Sequence, residues 1–437
     1  MRGTVDAVVI GGGTAGLAAA RDLHAAEREV VLLEARERLG GRVFTLRARE
    51  TAVPIELGAE FVHGSAEQVN ELVRPAGLAT VDVTGQRYEK ARQLRPMDDF
   101  WERLDRVMRR LPDQRTRDRS FREFLDTRPG GRRLVRERRL ALQWVEGFHA
   151  ADPRLISAHA LAEGGWPGED VEERRLGRVV DGYDRVIEKL ASSLAGRIRV
   201  GAVVSRVEWS RGSVAVYVQH PDGRPRFAVA ARSCIVAVPL GVLKAPAGET
   251  GAIEFVPQLR QKERALEGLT SGSVVRVVLR LRERVWESKY DSLSFIHSTD
   301  QDFPTLWTTY PMREPIVVAW RGGPGARRLS QLPADELEAR AVSAVARQLG
   351  ISRPRMRALV EAVWTHDWEH DPFARGAYSY SVVNGADAPT ALARPLRGTL
   401  FFAGEATDTE GATGTVDGAI ASGRRAAAQV LRALKRP

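Results

Sequence analysis

Near its N-terminus the chain reads Asp6-Ala-Val-Val-Ile10-Gly11-Gly12-Gly13-Thr14-Ala15-Gly16-Leu17, and Val30-Val-Leu-Leu-Glu34 follows shortly after. An apolar run, a glycine turn, an alanine-rich stretch and a second apolar run ending in an acid predict strand, turn, helix and strand. Each glycine then has its own task. Gly11 lets the chain turn sharply out of the strand, Gly13 lets backbone approach a pyrophosphate, and Gly16 lets the helix pack closely on the sheet. The helix N-terminus at Thr14 and Ala15 offers amide donors and a positive dipole end to a diphosphate. Glu34 is placed to accept hydrogen bonds from a ribose hydroxyl, which favours an unphosphorylated ribose. The frame predicts an α/β fold with a dinucleotide site.

With 437 residues the chain has material for about three domains and a buried ligand. No apolar run approaches the ~20 residues of a membrane helix, and the first strand begins by Val5, before a signal peptide could fit. The expectation is a soluble cytoplasmic protein, a monomer or homodimer that does not engage membranes. Cys234 is the only cysteine, so an intrachain disulfide and a cysteine metal cluster are excluded and no metal is expected. Its apolar surroundings, Ser233-Cys-Ile-Val-Ala-Val238, fit a small core residue. The net charge of +10 raises the question of nucleic acid, but there are only six lysines and the arginines are spread along the whole chain. That pattern reads as solvated helix faces, and nucleic acid is disfavoured as a partner. The same basicity mildly disfavours a polycationic substrate.

Two more glycine turns follow, in Arg36-Glu-Arg38-Leu-Gly40-Gly41-Arg42 and in Glu56-Leu-Gly58-Ala59-Glu60-Phe61-Val-His63-Gly64. They bring backbone near a second part of an extended ligand, longer than a nicotinamide dinucleotide. Residues 98–194 carry a helical pattern, with Phe100, Leu104, Val107, Met108 and Leu111 on one face. Residues 197–240 read as strands, and residues 274–281, 293–297, 305–310 and 316–320 add segments of a mostly antiparallel sheet. Pro333 opens a helix that Gly350 closes. Thr399-Leu-Phe-Phe-Ala-Gly404-Glu405 is a buried strand ending in an acid, and Val416, Ala419, Ile420, Gly423, Ala427 and Val430 then trace one helix face.

Together these pieces resemble the flavin-dependent amine oxidase family, which includes monoamine and polyamine oxidases, L-amino acid oxidases and histone lysine demethylases. The resemblance spans most of the chain. It rests on the N-terminal turn, Leu33-Glu34-Ala35-Arg36…Gly40-Gly41-Arg42, Gly58-Ala59…His63-Gly64, Val236-Ala-Val-Pro239, Trp368…Asp371-Pro-Phe-Ala-Arg-Gly376-Ala-Tyr378-Ser-Tyr380 and Phe402-Ala-Gly404-Glu405. It implies a Rossmann-like FAD-binding domain of residues 1–90, 180–255 and 396–437. A substrate domain of residues 91–179 and 256–395, mixed and mostly antiparallel sheet plus helices, would be intertwined with it. FAD contacts would come from Gly11, Gly13, Thr14, Ala15, Gly16, Glu34, Ala35, Arg36, Gly41 and Arg42. Further contacts would come from Gly58, Ala59, Glu60, Val204, Trp368, Gly404, Glu405, Thr415 and Val416.

The chemistry the resemblance implies is removal of a hydride equivalent from a carbon beside an amine nitrogen, giving an imine that water hydrolyses. Dioxygen or another acceptor would then reoxidise the flavin. Tyr378 and Trp368 would wall the substrate slot. Three positions depart from the family pattern. Thr415 stands where many oxidases have a second cage tyrosine, which widens the slot. Ala377 stands where monoamine oxidases attach flavin through cysteine, so FAD is expected to be non-covalent. Arg276 stands where the family's lysine holds a water against the flavin, and arginine keeps its charge at any working pH. His63 matches a histidine near the substrate in some polyamine oxidases and has an ordinary pKa suited to proton transfer near neutrality. Other readings are a carbon-carbon desaturase, or a flavin-binding protein whose catalysis lapsed with the lysine. The amine itself is not legible. An acid cluster at the entrance would favour polyamines, and a lone arginine facing the cage would favour amino acids.

Overall fold

The computed structural model describes residues 3–164, 172 and 174–435. Thr4–Ile10 is flanked by Val30–Leu33 and by Pro225–Val236, parallel to both. Leu400–Phe402 runs parallel on the far side of Pro225–Val236, and Val203–Ser210 and Ser213–Gln219 extend this sheet antiparallel. The register sets Ile10 beside Val236 and Val236 beside Phe402. Three strands therefore end together, at the carboxyl edge where ligands of open α/β sheets bind.

Helix Thr14–Ala25 packs on this sheet and on Val416–Leu434 through small residues. A Cβ on Gly16 would lie 1.9 Å from the Gly11 carbonyl oxygen, and one on Gly423 would lie 2.1 Å from that of Ala15. The close approach is possible only without side chains there. Leu17, Leu23 and Leu32, all fully buried in the same core, each contribute about 1.5–3 kcal/mol of transfer free energy.

The second large sheet has seven strands, and all its junctions are antiparallel except one. Val275, Val277 and Leu279 point to one face, packed against Ala341 and Val345 of helix Ala334–Leu349. Arg276, Val278, Trp307, Phe295 and Trp320 point to the other, as the period of two requires. Pro333 and Gly350 cap that helix as expected, Gly350 in the left-handed region at φ 70°.

Two expectations need correction. Gln86–Lys90, grouped above with the FAD-binding domain, pairs in parallel with Leu293–His297 and so belongs to the second sheet. The partner lies some two hundred residues away, beyond the reach of any local pattern. Leu176–Val179, inside the helical stretch, is a strand between Phe61–His63 and Thr80–Asp82. No helix among the described residues is long and apolar enough to cross a membrane.

Candidate active site

A cavity of about 860 Å³ starts at the glycine turn, passes Glu405 and Trp368, and opens into a chamber above the second sheet. It lies at the large end of the roughly 300–1,000 Å³ common for ligand sites.

At the first end Glu34 is buried, accepting from the Gly12 amide at 2.7 Å and the Arg36 amide at 2.9 Å. Burial raises its pKa against the pull of those two amides. Anchored in this way, the carboxylate keeps lone pairs for a ribose. The Arg36 guanidinium is held by Asp371 at 2.7 Å. A Cβ on Gly13 would find only the Gly40 oxygen, 3.9 Å away. The space beside Gly13 is therefore open to a ligand, while that beside Gly16 is filled by protein. Ala35, Gly41 and Val204 line the same end.

Midway, Arg42 Nη1 bonds Glu405 Oε1 at 2.9 Å and also donates to the Ala377 carbonyl. The other Glu405 oxygen accepts from Ser379 Oγ at 2.8 Å. Gly404, with φ at 123°, makes the turn that brings Glu405 in from its strand. Thr415 caps helix Val416–Leu434, its Oγ1 accepting from the Gly418 amide at 3.0 Å, and the helix N-terminus lines the cavity. That terminus presents partial positive charge to whatever lies there. Gly58, Ala59 and Val416 complete the lining.

The chamber is aromatic. Trp368 is buried and its indole donates to the Leu57 carbonyl at 2.9 Å, which fixes its ring. The Tyr378 hydroxyl donates to the Phe148 carbonyl at 2.6 Å, and burial followed by the charge of Glu405 raises its pKa. His63 meets the Phe148 ring edge-on at 5.5 Å. Burial pushes the His63 pKa down to about 4, below the ordinary value on which its expected proton role rests. It is a neutral wall residue.

Arg276 is 4 % exposed, on the chamber face of its strand. Its Nη2 donates to Glu60 Oε2 at 2.5 Å and its Nη1 to the Gly58 carbonyl at 3.1 Å. Arg178 Nε donates to Glu60 Oε1 at 2.6 Å, and Trp307 Nε1 to Oε2 at 3.0 Å. Burial would raise the Glu60 carboxyl, but Arg276 and Arg178 outweigh it and hold it low. Glu60, expected among the FAD contacts, thus spends its charge between two guanidiniums on the chamber side. Arg178 and Trp307 were not legible. Arg178 sits in a stretch read as helix, and Trp307 in a segment read only as a strand.

A dinucleotide cradle joined to an aromatic chamber defines a redox flavoprotein. The family described as flavin containing amine oxidoreductase matches residues 14–431. Polyamine oxidase 3 of Oryza sativa subsp. japonica is 30% identical over 99% of this chain and 90% of its own length. Polyamine oxidase 2 of Arabidopsis thaliana is 29% identical over 98% of this chain and 89% of its own length. A solved structure of putrescine oxidase bound to putrescine matches with a TM-score of 0.80 at 22% identity, over 98% of this chain and 99% of that one. The chain belongs to the flavin containing amine oxidoreductases. Its cofactor is FAD, and the open side of Gly13, the anchored Glu34 and the capped helix N-terminus suit that group.

Proposed function

We propose that this chain oxidises an amine to an imine, with FAD held non-covalently and dioxygen as acceptor. The observation that carries the reading is one continuous cavity from the glycine turn to a chamber walled by Tyr378, Trp368 and Phe148. The names of its relatives support an amine as the substrate class. Bound FAD supplies the acceptor for a hydride equivalent taken from the carbon beside nitrogen.

The chain's own residues do the rest. The rings of Trp368 and Tyr378, each locked by a hydrogen bond to a carbonyl, orient the amine and exclude water. An amine must be neutral to lose a hydride equivalent. Arg276 and Arg178 leave a net positive charge around Glu60, which lowers the pKa of a nearby ammonium and favours its deprotonated form. Neutral His63 adds no charge to oppose this. The helix beginning at Val416 stabilises negative charge at the FAD end of the chamber. Alanine rather than cysteine at position 377 and the burial of Cys234, the only thiol, inside its sheet support non-covalent attachment.

The test is aerobic turnover of an amine panel with peroxide and aldehyde measured together, and then acid or heat release of the yellow chromophore. Equal yields of peroxide and aldehyde with a free chromophore support the reading. Aldehyde without peroxide rejects dioxygen, and a chromophore that stays with the denatured chain rejects non-covalent binding.

A further inference from the structure

The residues that line the far end of the chamber point to a substrate feature that amine oxidation alone does not require. Arg87 lines the cavity on strand Gln86–Lys90, directly across from Phe295. Its guanidinium lies 4.9 Å from the Phe295 ring centroid, 5.2 Å from that of Phe100 and 5.6 Å from that of Trp101. A guanidinium covered on its faces by rings keeps its N–H edge free for a planar acceptor. Among the described residues it has neither a carboxylate partner nor a side-chain hydrogen bond. Beside it His297 stacks on Phe100 at 4.9 Å, and its buried Nε2 also has no partner among the described residues. Burial, then the charge of Arg87, pushes His297 down to about 3, so it is neutral and able to donate from one ring nitrogen.

Charge and distance narrow the occupant. Arg178 and Arg276 flank the buried carboxylate of Glu60 and leave one positive charge in excess there, and Arg87 adds another at the far end. The rim carboxylates Glu163 and Glu410 are exposed to solvent. A second ammonium, as in a diamine, would meet a like charge here. Arg87 is also remote from the reacting end. From the strand of Arg276 to that of Arg87 the sheet takes four steps, about 19 Å at roughly 4.8 Å each. Along the floor the contacts run from Arg276 to Trp307 at 5.4 Å, Trp307 to Phe295 at 6.1 Å and Phe295 to Arg87 at 4.9 Å.

We infer that Arg87, with His297 beside it, is an anion-binding subsite that selects amines carrying a carboxylate several bonds from the nitrogen. The substrate class is then an ω-amino acid or a longer amine with a terminal acid. This rests on the amine-oxidising reading, with the amine at the Tyr378 end and the acid at the Arg87 end.

The holoenzyme is compared on four twelve-carbon ligands: 12-aminododecanoate, dodecane-1,12-diamine, 2-aminododecanoate and dodecanoate. KM is measured for the three amines, and dodecanoate binding by calorimetry, for the parent and for Arg87→Met and Arg87→Lys. FAD content and thermal midpoint check that each variant is folded, and Arg87→Gln replaces any variant that is not. The expected result is a KM at least tenfold lower for 12-aminododecanoate than for the diamine. Arg87→Met abolishes that preference and weakens dodecanoate at least tenfold, while Arg87→Lys keeps part of both. Preference for the diamine or for 2-aminododecanoate, or dodecanoate binding indifferent to Arg87, overturns the inference. Dodecanoate binding that depends on Arg87 in a protein that no amine reduces supports the subsite and rejects amine oxidation instead.

Discussion

Arg276 Nη2 lies 2.5 Å from Glu60 Oε2, and both side chains are almost fully buried. The pair joins the floor of the chamber to the turn that follows Gly58, and Arg178 completes it from a third element. A guanidinium that satisfies a buried carboxylate and a carbonyl at once is first of all a fixed wall. Its charge then acts on whatever enters.

Glu60→Gln leaves Arg276 and Arg178 buried without a counter-charge. Loss of one partner of a buried pair costs about 3–5 kcal/mol. Urea unfolding of the variant is expected to show a loss in that range. Adding Arg276→Met to it restores part of the loss, because one uncompensated charge is removed. An unchanged midpoint in Glu60→Gln would contradict this network.

The two glycines of the N-terminal turn separate folding from cofactor binding. Gly16→Ala drives a methyl group into the Gly11 carbonyl, and backbone overpacking of this kind costs roughly 1–3 kcal/mol or more. Gly13→Ala meets no protein atom closer than 3.9 Å, so the apoprotein is expected to keep its midpoint. FAD affinity, read by fluorescence titration, falls at least tenfold in Gly13→Ala. Parent-like FAD affinity there would move the pyrophosphate away from this turn.

The half-buried histidines of the chamber wall give a pH dependence. His63 and His297 are held down to about 4 and about 3 by burial, with Arg87 adding to the shift of His297. Their ordinary value is near 6.5. Below that value the unfolded chain binds protons that the native chain does not, so stability falls as pH drops from about 6.5 to about 4. Each group contributes up to about 1.4 kcal/mol per pH unit in that window. Above about 6.5 they contribute no slope. Urea midpoints across this range check it, and His297→Gln is expected to remove one proton's worth of slope.

These predictions draw on two levels of legibility. Ile10, Val236 and Phe402 each end a continuous apolar run that a glycine, proline or acid soon closes, and that pattern is local. Cap positions such as Pro333, Gly350 and Thr415 are local in the same way. The chamber is different. Arg87 reaches it only because Gln86–Lys90 pairs with a strand far along the chain, and Arg178 only because a short strand interrupts a helical region. In a chain rich in arginine, neither residue is distinguished by type. For Glu60 the motif gave its neighbourhood but not its partners.

Arg276→Lys tests whether the arginine has cost the chain its reactivity toward dioxygen. Lysine keeps the charge toward Glu60 but drops the second donor to Gly58, a loss of about 0.5–1.5 kcal/mol. Lysine can also handle a proton where arginine cannot. Stopped-flow mixing of the reduced enzyme with dioxygen is expected to give faster reoxidation in Arg276→Lys than in the parent, with the rate of reduction by amine changed less. Amine reduction found only in the variant would favour lapsed catalysis in the parent.

The most direct measurement is anaerobic mixing of the purified yellow protein with amines, followed by its visible spectrum. If the chamber oxidises amines, at least one of them bleaches the flavin, and an imine or its aldehyde appears in equal amount. A flavin that keeps its full colour with every amine, but bleaches with chemical dithionite, would contradict that claim.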